Sequence, residues 1–136
     1  MLFVFDENFS KNMADGLDLL EKSNPRKKIE VDVTSAEKFM GRKGAADVEI
    51  IEKLRGRGVL ITKDKDFKQI KILKNVIEPA GTKVLFFKSS KKLIFFWDIL
   101  TAIVNRWEEI KEVLSRPAPP YIYEFDIRAG IKENHF

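Results

Sequence analysis

Residues 59–66 read Val-Leu-Ile-Thr-Lys-Asp-Lys-Asp, an apolar run that passes through a threonine and opens into two acids. A second run, Leu2-Phe3-Val4-Phe5, ends directly on Asp6. Consecutive apolar side chains suit strands covered on both faces, as parallel strands in an α/β sheet are. In such an open sheet, ligands bind beyond the carboxyl ends of the strands. Asp6, Asp64 and Asp66 should therefore gather at one edge. Asp47, which opens a helix-like segment between the two runs, is the fourth acid of interest. Like charges brought together are costly unless a cation neutralises them, so the pattern points to a hard metal ion.

Working outward, strand and helix signals alternate over most of the chain, which implies a three-layer α/β sandwich around a largely parallel sheet. The apolar spacing of Met13, Leu17 and Leu20 predicts a helix from about Phe9 to Lys22, capped by Asn8 or Ser10 and broken by Ser23-Asn24-Pro25. Ile29 to Val33 alternates as a more exposed strand does, and Gly41-Arg42-Lys43-Gly44 reads as a flexible basic loop. A short helix is expected from Ala46 or Asp47 to Arg55, ended by Gly56 and Gly58. Residues 67–77 suggest short helical turns, and Lys83 to Phe87 another apolar strand. Phe96, Ile99, Leu100, Ile103, Trp107, Ile110 and Leu114 keep helical spacing, predicting one long helix over about 91–114. Pro117, Pro119 and Pro120 stop it. The alternation over 121–127 predicts a late strand at a sheet edge, open to antiparallel pairing.

The bulk properties narrow the chemistry. A length of 136 residues fits one domain, spanning 1–136, with a real core. No apolar stretch reaches the roughly 18 residues of a membrane span. The Met-Leu-Phe-Val-Phe start has no basic region or cleavage site and reads as a strand, so a cytoplasmic location is expected. The absence of cysteine excludes disulfides, thiol nucleophiles and cysteine zinc sites. His135, near the C-terminus, is the single histidine, which argues against a Ser-His-Asp triad. Chemistry must come from carboxylates, lysines or hydroxyls. The net charge of +4 is uneven: residues 63–92 hold nine lysines against three acids, leaving about −2 for the rest. Such a segment suits a polyanion held beside a metal, and equally suits a solvated lysine-rich surface.

Each acid has a second reading. Asp6 could serve a turn, and Asp47 could simply favour a helix start. Asp64 and Asp66 would face the same side of an extended chain, whereas on a turn one of them could cap a helix near Phe67. Asp64 is then a direct or water-mediated ligand, and Asp66 completes the cluster or caps. Thr62 could orient a carboxylate or water, or simply serve as a β-branched strand residue, and Phe67 is expected to pack under the loop. Glu7 should diverge from Asp6 unless the chain turns there.

Together, Phe-Asp-Glu-Asn-Phe-Ser at residues 5–10, Asp47 at a helix head and Val-Leu-Ile-Thr-Lys-Asp-Lys-Asp-Phe at residues 59–67 resemble the PIN-like nuclease superfamily. They look closest to the PIN-like toxins of VapBC-type toxin–antitoxin pairs. The motifs cover roughly residues 1–70. The resemblance implies metal-dependent RNA cleavage with Mg²⁺ or Mn²⁺ held by Asp6, Asp47, Asp64 and Asp66, which are also the implied catalytic residues. It departs from the family pattern at the middle glutamate: Glu37 is available but lies in no recognisable motif.

On this reading a metal activates water for attack on phosphorus, and Arg42, Lys43, Lys65 and Lys68 grip flanking phosphates. The implied partners are an RNA substrate and a protein antitoxin. Phe95, Phe96, Trp97, Val104 and Trp107 exceed the needs of one buried helix face and suit either a thick core helix or a surface for an antitoxin helix or a second subunit. Two rivals remain: a non-catalytic RNA-binding module, and a phospho-acceptor domain. A phosphatase of the latter kind expects an acid where this chain has Asn8.

Overall fold

The computed structural model describes residues 1–26, 28–63, 65–88, 95–117, 119–126 and 129–133. The order is β1 (Leu2–Phe5), α1 (Lys11–Ser23), β2 (Asp32–Ser35), α2 (Ala36–Met40), α3 (Asp47–Leu54), β3 (Gly58–Lys63), α4 (Phe67–Ala80), β4 (Lys83–Phe87), α5 (Phe96–Asn105), α6 (Trp107–Leu114), β5 (Ile122–Asp126) and β6 (Gly130–Glu133). Among the described residues one sheet forms, ordered β2-β1-β3-β4-β5-β6 and parallel throughout except for the β5–β6 pair.

Alternation along the strands builds two cores. Phe3, Phe5, Val59, Ile61, Leu85 and Phe87 face α1, α5 and α6. Val4, Leu60, Val84 and Phe86 face α2, α3 and α4. The expected three-layer α/β sandwich is therefore the observed one. Both faces of β1, β3 and β4 are covered, which is why their sequences are apolar without interruption. Gly58 permits a close approach to β1: a Cβ there would lie 2.2 Å from the Leu2 carbonyl oxygen. Among the described residues no helix is long and apolar enough to cross a membrane.

Several elements differ from the sequence expectation, each for a local reason. The buried face of α1 continues from Met13 and Leu17 through Glu21, one turn on, while Leu20 is exposed. Glu21 is usable inside because Lys111 of α6, itself fully buried, meets its carboxylate at 2.9 Å. That lysine also donates to the Ile29 carbonyl, and Glu21 accepts the Val31 N–H. The backbone at Ile29 and Val31 thus takes side-chain partners, and β2 begins only at Asp32. Residues 67–77 belong to one continuous helix, α4, because Asp66 caps its start and Pro79 falls in its last turn. There the missing N–H forfeits a single backbone bond.

The long helix expected over 91–114 is two helices, with residues 91–94 outside the described set. Arg106 breaks the run at φ −117° and ψ 13°. The break lets Trp107 set its ring edge-on to Phe3 at 5.7 Å and donate its Nε1–H to Glu21 at 3.2 Å. Trp107 is therefore partly buried and leaves the proposed outer surface. The strand expected at an edge, β5, is interior: it pairs parallel with β4 and antiparallel with β6, a strand the sequence reading missed. Residue 127, its expected end, lies outside the described residues, as does His135.

Candidate functional site

The sheet changes direction between β1 and β3. From β1 the chain moves outward to β2, then returns past β1 to β3 and proceeds to β4. At such a switch point the crossovers diverge and leave a crevice beyond the carboxyl ends of the two strands. Asp6 follows β1 at that crevice, and Lys65, which follows β3, lies near enough to act on its charge.

Asp6 is built in by its neighbours. Its N–H bonds to the Ile61 carbonyl at 2.9 Å, which carries the β1–β3 ladder one residue past the strand. The chain then turns, with the Phe9 N–H on the Asp6 carbonyl at 3.1 Å. Asp6 is 5% exposed. The Asn8 N–H donates to Oδ1 at 3.0 Å, and the Thr62 hydroxyl donates to Oδ2. Burial pushes the Asp6 carboxyl up to about 6, against these hydrogen bonds; the Asp47 charge adds to the rise and Lys65 opposes it. Thr62 thus donates to a carboxylate, one of the readings its sequence position allowed.

Asp47 stands at the first position of α3, after an alanine whose side chain cannot cap. Its Oδ2 meets the Lys65 ammonium at 2.8 Å, with both side chains largely buried. Asp6, Asp47 and Lys65 therefore form one electrostatic unit. Asp66 is placed differently. Its Oδ1 accepts the Gln69 N–H at 2.8 Å, and its own N–H donates to the Gln69 side-chain oxygen at 2.9 Å, a reciprocal cap on α4. Asp64 lies outside the described residues. Among the described residues, no three acidic or histidine side chains gather closely enough to hold a metal ion.

A cavity of about 250 Å³ opens beside Asp6, lined also by Glu7, Lys11, Ser35, Glu37 and Lys43. Glu7 reaches it because residues 7 and 8 turn, and its carboxylate accepts the Gly44 N–H at 2.6 Å. Glu37 arrives through sheet register: Ser35 pairs with Phe5, so the start of α2 lies next to Asp6. Glu37 thus lines the same cavity as Asp6. Its only sequence signal was a Ser-Ala-Glu helix start, where Ser35 caps by accepting the Lys38 N–H.

Of the cations expected to grip phosphate, Lys43 lines this cavity and Lys65 joins Asp47. Arg42 is tied to Glu49, and Lys68 is exposed on α4. Phe67, expected to pack under the loop, is 61% exposed because it begins α4 on the outer side of the cap.

A family model described as a PIN like domain matches residues 1–89. This span contains Asp6, Glu37, Asp47, Lys65 and Asp66. No curated protein and no solved structure matches the chain.

Proposed function

Since the chain belongs to the PIN-like domain family, we propose that it is an endoribonuclease that hydrolyses RNA phosphodiester bonds beyond the carboxyl ends of β1 and β3. The observation that carries this reading is the buried Asp6 carboxylate at the switch point, with Asp47 close enough to raise its proton affinity. A carboxylate kept out of water, with no ion pair of its own among the described residues, is poorly suited to structure alone.

The donors fit a hard divalent cation. Asp6 and Asp47 offer only oxygen, and each Asp6 oxygen keeps lone pairs beyond the one hydrogen bond described for it. Mg²⁺ needs no more than one or two carboxylates when water and phosphate complete its shell. Asp6 and Asp47 would hold Mg²⁺ or Mn²⁺, joined by Asp64 on sequence grounds. Bound there, the ion would supply an activated water and neutralise charge on the leaving oxygen. Thr62 and Asn8 fix the Asp6 carboxylate so that no reorientation accompanies the reaction. Lys65 limits the repulsion between phosphate and the acids, and Lys43 and Lys11 attract the flanking backbone. Asp66 acts through the position of α4.

The toxin role is part of the same proposal. Phe95, Trp97 and Val104 of the α5 region are exposed, and their apolar outer stripe suits an antitoxin helix. The Lys65–Asp47 pair favours one alternative, an RNA-binding module in which the lysine permanently neutralises the acid.

The test is incubation of a mixed-sequence RNA with purified protein and Mg²⁺ or Mn²⁺, beside EDTA and an Asp64→Asn variant. Internal cleavage that disappears in both controls is expected. Intact RNA that nevertheless binds, with the metals confirmed present, would select the binding module.

A further inference from the structure

Between α3 and α4 lies a second cavity of about 240 Å³, walled by Val48, Ile72 and Leu73. Its remaining lining is Asp47, Lys65 and Gln69, so it adjoins the pair already placed beside Asp6. Val48 and Ile72 are 41% and 59% exposed, although a helix surface would ordinarily carry polar residues there. The volume is below the roughly 300–1,000 Å³ of pockets that enclose drug-sized ligands, and suits one flat ring system. Gln69 brings a fixed polar group. Its oxygen is committed to the Asp66 N–H, which leaves the amide NH₂ as a donor of defined placement.

We propose that this cleft is a nucleobase subsite. One base of single-stranded RNA enters between Val48 and Ile72, the Gln69 amide donates to an acceptor on that base, and Lys65 faces the attached phosphate. The neighbouring phosphodiester then falls at Asp6 and Asp47. The inference rests on the ribonuclease reading and deepens it by assigning where the substrate is held. Charge favours RNA over an apolar protein helix as occupant. Lys68 and Lys71 are exposed on α4 beside Ile72, and Lys65 closes the inner end, so a polyanion meets cations on its way in. A base has a face that an aliphatic wall can cover, and fully burying a Val or Ile side chain contributes about 1.5–3 kcal/mol.

The experiment measures fluorescence anisotropy of labelled RNA octamers of each base, and of an abasic octamer with the same phosphates, in EDTA so that nothing is cut. Wild-type protein should bind at least one base-bearing octamer about tenfold more tightly than the abasic one, the equivalent of about 1.4 kcal/mol. Ile72→Ser and, independently, Val48→Ser should reduce that preference to less than about twofold while leaving abasic binding unchanged. Both residues are exposed, and matching circular dichroism and unfolding midpoints establish that the variants fold. Equal binding of abasic and base-bearing octamers by the wild type overturns the subsite, as does a preference that survives both substitutions. If Ile72→Ser instead converts a dimer to a monomer in light scattering with the preference intact, the cleft joins copies of the chain and the proposal fails. Base-dependent binding without cleavage in Mg²⁺ or Mn²⁺ would retain the subsite and remove the nuclease reading; cleavage without base preference would do the reverse.

Discussion

Replacing Asp6 by asparagine should make the protein more stable while removing its activity. The Asp6 carboxyl is raised from 3.8 to about 6, chiefly by burial. At ~1.4 kcal/mol per pH unit, the ionised form then costs about 3 kcal/mol of folding stability at neutral pH. Asparagine is neutral and nearly isosteric. Its oxygen still accepts the Asn8 N–H, and its amide donates to Thr62, whose hydroxyl can rotate to accept. The folded state binds this proton more tightly than the unfolded chain does. The stability contributed by the neutral acid is therefore fully present below pH 3.8 and lost as pH rises through about 6. Urea unfolding in EDTA, followed by far-ultraviolet circular dichroism between pH 4 and 8, isolates this contribution in the difference between variant and wild type. That difference should be near zero at the acid end and approach about 3 kcal/mol in favour of the variant above pH 7. A difference that does not change with pH, or a variant less stable at pH 8, would refute the claim that burial governs this carboxyl.

Two further substitutions probe the frame around the site. Lys111→Met should destabilise the fold by about 3–5 kcal/mol, because the Glu21 carboxylate would stay buried without the ammonium that neutralises it, the Val31 and Trp107 N–H groups being neutral donors. The double variant Glu21→Leu with Lys111→Met should regain most of that loss in denaturant titration; a single-variant cost below about 1 kcal/mol would show that the pair is not desolvated. Asp66→Ala should lose about 1 kcal/mol, the usual worth of a helix N-cap, and should keep measurable RNA cleavage. Complete loss of cleavage in a folded Asp66→Ala protein would return that residue to the catalytic set.

The fold was legible where apolar runs were long and doubly covered. β1, β3 and β4 announce themselves because both faces of each strand are buried, and α3 because Gly56 and Gly58 end it sharply. It was illegible where polar groups replaced apolar ones inside. Glu21 and Lys111 hold buried positions through each other, which no hydrophobic period can reveal, and their contacts to Ile29 and Val31 displaced the start of β2. The Arg106 break was hidden because Ile103 and Ile110, seven residues apart on either side of it, keep the spacing of about two turns of an unbroken helix. β6 is four residues long and only half buried, too brief to alternate convincingly. Within the site, Asp6 and Thr62 could be read from their places at strand ends. The joining of Asp47 to Lys65, and of Glu37 to the Asp6 cavity, depends on crossovers and register that sequence spacing does not encode.

The stabilised but altered Asp6→Asn protein also gives the most direct test of the reaction centre, because lost activity cannot then be attributed to unfolding. Single-turnover cleavage of one RNA should be measured for wild type and variant at pH 8 with saturating Mn²⁺. If Asp6 anchors the chemistry, the variant binds RNA with unchanged affinity and cleaves at least about a hundredfold more slowly, as expected when a group essential to transition-state stabilisation is removed. Cleavage at the wild-type rate by a folded Asp6→Asn protein would contradict the account and place the active centre elsewhere.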